Sequence, residues 1–203
     1  MKNLKAQTLG VVLAGGKSSR LGQDKSLLEL AGKPLWLRAE ELLSPLVNRV
    51  IISHNQPELF PKDRTVVTDA VKEQGPMGGI YSVMSQLASP YYLLLAVDAP
   101  LLKEEVLKLV SSYQPDYQVV CTEIDGRLHP LPARYSYECL PIIAACLATN
   151  RLRLREIFCE LKVKLLTPAD LKGVDPELES FFNLNTPAEL AEIQDHLNRK
   201  LNS

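Results

Sequence analysis

A glycine-containing basic segment follows an apolar stretch near the start of the chain. The stretch Thr8–Leu13 is β-branched and uncharged, which is typical of a buried parallel strand. Gly15 and Gly16 allow a sharp turn and let backbone N–H groups approach a bulky anion. Three cations follow within ten positions, at Lys17, Arg20 and Lys25. The combination predicts a phosphate-binding loop suited to a triphosphate.

The alternative for this segment is a solvated surface turn whose basic residues face water. The preceding strand argues against that alternative, because a strand is the context that a phosphate-binding loop needs. The loop has neither the Walker A spacing nor the Gly-x-Gly-x-x-Gly dinucleotide pattern. A different class of phosphate-binding loop is therefore expected.

A carboxylate follows the longest predicted strand. Asp98 comes directly after Tyr91–Val97, and Mg²⁺ commonly binds through one or two carboxylates together with substrate phosphates. Asp98 is therefore a predicted magnesium ligand. The alternative is that Asp98 caps the following helix or the turn at Pro100.

A second glycine cluster, residues 75–79, opens an amphipathic helical pattern. Its bare backbone, at Gly78 for example, could lie against a base or a ribose, and the alternative is a plain tight turn into a helix. Asp69 follows the apolar pair Val66-Val67, and its carboxylate can accept hydrogen bonds from sugar hydroxyls or base nitrogens. Both segments are candidate nucleotide contacts.

Two asparagines flank one apolar residue near the end of the chain. In an extended segment, Asn183 and Asn185 point to the same side. Asn185 is a candidate magnesium ligand opposite Asp98, and Asn183 is assigned to the acceptor side of the site. The alternative is that both are turn residues before the final helix, whose start at Thr186 carries a capping-box pattern.

The segment after Asp125-Gly126 is predicted to be an edge strand or a loop, because Leu128–Arg134 contains two prolines. Arg127 and His129 lie in it and are candidates for contact with the acceptor substrate. For His129, the alternative is an ordinary turn residue.

Apolar runs suited to strands alternate with amphipathic helical patterns along most of the chain. Such alternation predicts an α/β fold with a mostly parallel sheet, in which ligands bind beyond the carboxyl ends of the strands. The predicted strands are Thr8–Leu13, Arg49–Ser53, Thr65–Thr68, Tyr91–Val97, Gln118–Thr122 and Lys162–Leu166. The predicted helices start near Pro34, Gly75, Leu102, Tyr137, Arg153 and Thr186.

Composition narrows the class of protein. The 203 residues, 46% of them hydrophobic, can build one core, and a single domain is expected. A net charge of −1 with interspersed signs predicts binding to neither nucleic acid nor membranes. The four cysteines lack a C-x-x-C pair, which predicts buried thiols in a cytoplasmic protein rather than a disulfide framework or a zinc site.

Together these segments resemble the molybdenum cofactor guanylyltransferase family, among the nucleotidyltransferases that bind GTP on a Rossmann-like fold. The resemblance implies a three-layer α/β/α architecture of the nucleotide-diphospho-sugar transferase type, with a nucleotide part at about 1–115 and an acceptor part at about 116–203. The matching motifs follow the family's order: LAGG-x3-R-x-G-x-DK at 13–25, GP-x-x-GI at 75–80, D-x-P at 98–100, DG-R-x-HP at 125–130 and N-x-NTP at 183–187.

The resemblance implies transfer of GMP from GTP to the terminal phosphate of molybdopterin in the molybdenum cofactor, with release of pyrophosphate and with Mg²⁺ as cofactor. It also implies transient contacts with other cofactor-biosynthesis proteins or molybdoenzymes. By position, the family's nucleotide contacts fall on Leu13, Ala14, Gly15, Gly16, Lys25, Asp69, Gly78 and Asp98. The predicted catalytic groups are Arg20 and Lys25, which neutralise the charge of the phosphates, and Asp98, which acts through the magnesium ion that it binds.

One position departs from the family pattern. Some members bind the base through an asparagine at the position where this chain has Ser53. The rival activities are a cytidylyltransferase acting on the same pterin and a sugar-phosphate nucleotidyltransferase. The pterin cytidylyltransferases tend to carry aspartates in the last motif, where this chain has Asn183 and Asn185. A non-catalytic nucleotide-binding module is a third alternative, against which the joint presence of Lys25 and Asp98 argues.

Overall fold

The computed structural model describes residues 4–15, 23–70, 74–113 and 116–201. In these ranges the strands are β1 (Thr8–Leu13), β2 (Glu29–Leu30), β3 (Lys33–Pro34), β4 (Arg49–Ser53), β5 (Val66–Val67), β6 (Tyr91–Ala96), β7 (Val119–Ile124), β8 (Arg127–Ser136) and β9 (Val163–Leu166). The α-helices are α1 (Leu35–Leu43), α2 (Gly75–Gln86), α3 (Glu104–Ser112), α4 (Leu140–Ala148), α5 (Pro168–Leu171) and α6 (Pro187–Leu201). Short 3₁₀ helices include Lys25–Leu27, Leu154–Glu160 and Glu179–Phe181.

Seven strands form one sheet in the order β5-β4-β1-β6-β8-β7-β9. The strand β1 runs parallel to both of its neighbours, and its last residue, Leu13, pairs with Ser53 of β4 and with Ala96 of β6. The carboxyl ends of these three strands therefore lie at one level. The strand β8 runs antiparallel to β6 and β7, whereas β9 is parallel to β7. The predicted mostly parallel α/β sheet is confirmed.

Helices cover both faces of the sheet, because successive side chains of a buried strand alternate between faces. On β1, Val12 packs into a cluster with residues of α1, α3 and α6, whereas Leu9, Val11 and Leu13 pack with residues of α2 and α4. A Cβ at Gly10 would lie 3.0 Å from Val47 Cγ2, so the glycine allows a close approach there. The result is the expected three-layer α/β/α architecture.

The prediction for Leu128–Arg134 was wrong, because these residues belong to β8, which lies between β6 and β7 in the interior of the sheet. The prolines are accommodated by an irregularity in the pairing with β7. Thr122 pairs with His129, but Val120 pairs with Arg134, so Pro130 and Pro132 fall in the shifted segment. A residue without an N–H is tolerated where the ladder is interrupted.

Most of the other predicted elements are present with shifted ends. The helix expected from Leu102 begins at Glu104, and the strand expected at Thr65–Thr68 is limited to Val66–Val67. The small hairpin of β2 and β3 was not predicted. Three cysteines are buried as expected, but Cys159 is exposed. Among the described residues, no helix combines the length and apolar character needed to cross a bilayer.

Asp175, whose side chain is fully buried, connects the turn before α6 to the start of α3 through an ion pair and hydrogen bonds. Its carboxylate lies 2.6 Å from Lys103 Nζ and accepts hydrogen bonds from the backbone N–H groups of Ser180 (2.9 Å) and Glu179 (3.3 Å). Burial acts to raise the pKa of Asp175, but the hydrogen bonds from Lys103 and Ser180 outweigh it and hold the pKa below its ordinary value.

We expect Asp175→Asn to lower the free energy of unfolding by about 2 kcal/mol at neutral pH, because the variant loses hydrogen bonds to an ionised acceptor. A lowered pKa stabilises the native state at pH values above 3.8, the ordinary value for this group, and that contribution is lost as the pH falls through the folded-state pKa. Urea titrations from neutral pH into the acid range measure the difference between the two proteins, which should shrink below pH 3.8. The exposed Asp116→Asn variant is the control, and a difference independent of pH would contradict the assignment.

Candidate active site

The carboxyl ends of β1 and β4 are joined by backbone hydrogen bonds. The N–H groups of Ala14 and Gly15 both donate to the Ser53 carbonyl at 3.1 Å, and the Leu13 carbonyl accepts from the Val97 N–H at 3.3 Å. Ala14 is buried and Gly15 is exposed. The first two amides after the strand thus serve to hold the loop against β4.

Three residues of the predicted phosphate-binding loop, Gly16, Lys17 and Arg20, lie outside the described residues. The expectations for their contacts with the nucleotide stay predictions.

The structure resumes with an anchored turn before Lys25. Asp24 caps the 3₁₀ helix Lys25–Leu27, and its Oδ1 accepts hydrogen bonds from the Ser26 N–H at 2.9 Å and from Ser26 Oγ at 2.7 Å. Burial acts to raise the pKa of Asp24, but these bonds and a contact with His54 outweigh it and lower the pKa. Asp24 is therefore ionised at neutral pH and fixes the backbone next to Lys25.

The contact with His54 ties this turn to the end of β4. His54 Nε2 lies 2.8 Å from Asp24 Oδ2, and His54 Nδ1 accepts a hydrogen bond from the Gln56 N–H at 3.1 Å. Because Nδ1 acts as the acceptor, Nε2 carries the proton and donates to Asp24. The imidazole is only 5% exposed, so it acts as a buried positioning residue for the segment that carries Lys25.

Lys25 connects the first motif with the last one. Its Nζ donates to the Leu184 carbonyl at 2.6 Å and to Asn185 Oδ1 at 3.0 Å. The Leu184 N–H in turn donates to the Asp98 carbonyl at 2.7 Å. Lys25, Asp98 and Asn185, which are widely separated in the sequence, therefore meet at the carboxyl end of the sheet as predicted.

The Asp98 carboxylate lies in a low-dielectric environment. Burial raises its pKa, and the positive charge of Lys25 and the residue's own N–H offset that effect only in part, so the pKa stays above its ordinary value. The helix-cap alternative does not hold, since α3 begins at Glu104 with Lys103 in the capping position. Asp98 is a partly buried carboxylate whose ionised form needs more positive charge than the described residues supply.

The predicted nucleotide contact Asp69 is fixed by a residue that sequence reasoning did not assign. Asn55 Nδ2 donates to Asp69 Oδ2 at 2.9 Å, and the Asp69 N–H donates to Asn55 Oδ1 at 2.8 Å. The reciprocal pair joins the segment after β4 to the segment after β5. The available signal was the position of Asn55 just beyond a strand end.

The first turn of α2 packs against these strand ends because it has glycines. A Cβ at Gly79 would lie only 2.6 Å from Ser53 Oγ, and 3.5 Å from Asp69 Oδ1. The neighbouring Gly78 is buried, and its carbonyl accepts a hydrogen bond from Ser82 Oγ at 2.7 Å. The glycine cluster is therefore not only a tight turn into the helix. Because its glycines have no side chains, the backbone of α2 lies at the edge of the candidate nucleotide site.

The predicted acceptor residues line two adjoining cavities. Arg127 and His129 contribute to a cavity of about 580 Å³ beside α6, and His129 and Asn183 contribute to a smaller one next to Asp98. Burial and the neighbouring charge of Arg127 lower the pKa of His129, so its ring is neutral at pH 7. The structure thus places Arg127, His129 and Asn183 on one side of Asp98.

The chain is similar to known proteins over most of its length. Residues 10–163 match the family model described as the MobA-like NTP transferase domain. The chain is 31% identical to "Probable molybdenum cofactor guanylyltransferase" of Natranaerobius thermophilus, with 93% of this chain and 96% of that protein covered. It is 29% identical to "Molybdenum cofactor guanylyltransferase" of Desulfosudis oleivorans, with 91% and 93% covered.

Solved structures show the same fold at lower identity. Molybdopterin-guanine dinucleotide biosynthesis protein A from Archaeoglobus fulgidus superposes with a TM-score of 0.80 at 22% identity, covering 95% of this chain and 99% of that one. The 4-diphosphocytidyl-2C-methyl-D-erythritol synthase from Anaerococcus prevotii superposes with a TM-score of 0.68 at 13% identity, covering 98% and 100%. The three-layer fold is therefore that of nucleotidyltransferases.

The contact between Gly79 and Ser53 generates a prediction about stability. We expect Gly79→Ala to destabilise the protein, because the added methyl group collides with Ser53 Oγ. In a Ser53→Ala background the colliding atom is absent, and the same change should stabilise the protein by up to about 1 kcal/mol through helix propensity. Urea unfolding of the wild type, both single variants and the double variant measures the coupling.

The control for that cycle is Gly173→Ala, because a Cβ at Gly173 meets no atom within 4 Å. Its effect should be the same with Ser53 or Ala at position 53. Additive effects of the Gly79 and Ser53 substitutions would show that the two residues do not constrain each other.

Proposed function

This chain belongs to the MobA-like NTP transferase family, and on that premise we propose that it transfers GMP from GTP to the molybdopterin form of the molybdenum cofactor. The products are the molybdopterin-guanine dinucleotide cofactor and pyrophosphate. The observation that carries the proposal is the convergence of Lys25, Asp98 and Asn185 at one end of the sheet. This convergence lies beside the cavities lined by Arg127, His129 and Asn183.

The reaction joins two anions and needs little covalent help from the protein. An oxygen of the acceptor phosphate attacks the α-phosphorus of GTP, the bond from that phosphorus to the α,β-bridging oxygen breaks, and pyrophosphate leaves with the electron pair. A phosphate monoester is mostly ionised at pH 7, since its second pKa is about 6. The attacking oxygen therefore requires no general base, and the protein's task is to position the anions and neutralise their charge.

Lys25 is positioned for this neutralisation. An ammonium group has three N–H donors, and two of them are used by the Leu184 carbonyl and by Asn185 Oδ1. The third has no hydrogen-bond acceptor within the described ranges and is available to a phosphate oxygen. Arg20, which lies outside those ranges, is proposed as a second cation on the basis of the sequence alone.

The residues around Asp98 fit a magnesium ion. The carboxylate of Asp98 and the amide oxygen of Asn185 are hard oxygen donors, and one or two such ligands combined with substrate phosphates are the usual protein share of a Mg²⁺ site. The raised pKa of Asp98 points the same way, because burial leaves its charge incompletely neutralised. When bound, Mg²⁺ supplies positive charge to the phosphates of GTP.

The guanine nucleotide is proposed to lie over Leu13, Ala14, Gly15, Gly16 and Gly78, with Asp69 at its base or ribose. Asn55 holds Asp69 in place. Ser53, whose Oγ lies next to Gly79, occupies the position where some members of the family use an asparagine. The division into nucleotide and acceptor parts, the cytoplasmic location and the transient protein contacts stay predictions.

Nucleotide choice separates this function from its nearest rivals. We expect GTP with Mg²⁺ to raise the melting temperature more than CTP, UTP or ATP at the same concentration, because only a ligand that binds the native state stabilises it. A concentration of 100 times the Kd corresponds to about 2.7 kcal/mol. A larger shift with CTP would favour the cytidylyltransferase instead.

Substitution of Asp98 tests the proposed metal ligand. We expect Asp98→Asn to reduce guanylyl transfer by at least about 100-fold, the scale on which loss of one electrostatic contact to the transition state acts. The raised pKa means that the ionised carboxylate does not stabilise the fold at neutral pH, so the variant should unfold at the same or a higher urea concentration.

The magnesium dependence gives a second readout for Asp98. The melting-temperature shift caused by GTP should depend on Mg²⁺ in the wild type and in Asp116→Asn, which changes an exposed carboxylate. In Asp98→Asn, the shift should be nearly the same with and without Mg²⁺. An unchanged magnesium dependence in Asp98→Asn would remove Asp98 from the metal site.

A further inference from the structure

The larger of the two cavities, here named the α6 pocket, brings the β7–β8 turn together with α6 and the segment that precedes it. Its walls come from the β7–β8 turn, from the region of the 3₁₀ helix Glu179–Phe181, and from one side of α6. The volume of about 580 Å³ is within the range of sites that enclose a small organic molecule. The motif residues Arg127 and His129 contribute only one wall, so most of the pocket was not assigned from the sequence.

The walls of the α6 pocket carry aromatic rings, a negatively charged carboxylate and a positively charged guanidinium group. Phe181 and Phe182 supply aromatic surface, which can pack against a flat heterocycle. Glu192 of α6 supplies a carboxylate that can accept hydrogen bonds from ring N–H and amino groups, and Arg199 supplies a cation about two turns further along the same helix. A site with these three features suits a flat, nitrogen-rich ring that carries an anionic substituent.

A polar atom inside the pocket wall is incompletely satisfied. His196 Nε2 is buried and lies 3.1 Å from Glu179 Oε1, but the geometry of that contact does not meet the requirements of a hydrogen bond. Glu179 is itself 3.1 Å from Lys103 Nζ. The imidazole ring therefore lies in the pocket wall with Nε2 directed at Glu179.

The pocket leads toward the reacting centre. His129 and Phe181 line both the α6 pocket and the smaller cavity that contains Asp98 and Asn183. Their rings also contact each other, with centroids 5.1 Å apart in an edge-to-face arrangement. The His129–Phe181 ring pair is thus the common wall between the α6 pocket and the Asp98 cavity, and a ligand in the pocket lies next to that wall.

We propose that the α6 pocket binds the pterin ring of the acceptor, with Glu192 accepting hydrogen bonds from its aminopyrimidinone edge and Arg199 contacting an anionic part of the molecule. The inference rests on the proposed function, because the acceptor phosphate must reach Asp98. Phe181 and Phe182 provide the apolar surface for the ring, and Arg127 and His129 contribute the wall formed by β8.

The test must exclude the nucleotide site, because a pterin shares its aminopyrimidinone edge with guanine. The probe is pterin-6-carboxylate, which is fluorescent and carries an anionic group. It is titrated against the full chain in saturating GTP and Mg²⁺, which occupy the guanine site. We expect one binding site per chain that GTP does not displace.

Two pocket variants have matched controls. We expect Glu192→Gln and Arg199→Ala each to raise the Kd of the probe about tenfold or more, the scale of a lost hydrogen bond to a charged group. Asp195→Asn, on the same helix but not in the pocket wall, and Arg155→Ala, an exposed arginine elsewhere, should leave the Kd unchanged. The GTP-induced melting shift should be the same in all four variants.

Transfer kinetics separate failure of the pocket from failure of the proposed function. In the wild type, GMP transfer to molybdopterin supports the function, and a KM for the acceptor that rises in Glu192→Gln with kcat unchanged supports the pocket. If the wild type transfers GMP but both pocket variants keep the wild-type KM for the acceptor and the wild-type Kd for the probe, the pocket assignment is wrong and the proposed function stands. Displacement of the probe by glucose 1-phosphate, or absence of transfer in the wild type, overturns the pterin assignment.

Discussion

The ammonium group of Lys25 holds the two ends of the candidate active site together. One donor reaches the Leu184 carbonyl and another reaches Asn185 Oδ1, and the Leu184 N–H is bonded to the backbone of Asp98. The turn that carries Lys25, the end of β6 and the segment before α6 are therefore fixed relative to one another by a few hydrogen bonds. The position of Lys25 itself depends on Asp24, which Ser26 and His54 hold in place.

The parallel strands and their ends could be predicted because the physical causes are local. A strand buried on both faces must be apolar along its buried length, and β1, β6 and the part of β4 after Arg49 have that pattern. The strand β8 could not be predicted in the same way. Its prolines indicate an edge, and only the irregular pairing with β7, which depends on a second strand, explains why they are tolerated in the interior.

The residues of the candidate site likewise include some that the sequence predicts and others that it does not. Asp98, Asp69 and Asn185 were predictable because each follows a strand or precedes a helix in a recognisable motif. Their supporting residues were not, because His54 and Asn55 act through hydrogen bonds to partners far along the chain. The wall that α6 contributes to the pocket could not be predicted from the sequence for a similar reason. In the sequence, Glu192 and Arg199 read as ordinary polar positions of an amphipathic helix.

Three partly or fully buried carboxylates, Asp24, Asp175 and Asp98, differ in how far the surrounding residues compensate for their burial. Burial acts to raise the pKa of all three, but at Asp24 and Asp175 fixed hydrogen-bond donors outweigh it and the pKa falls. At Asp98 the charge of Lys25 offsets burial only in part, and the pKa rises. Two carboxylates are thus neutralised by the protein and stabilise the turns around the site. The third lies near Lys25 and lines the cavity that His129 and Asn183 also line, and the described residues offset the effect of its burial only in part.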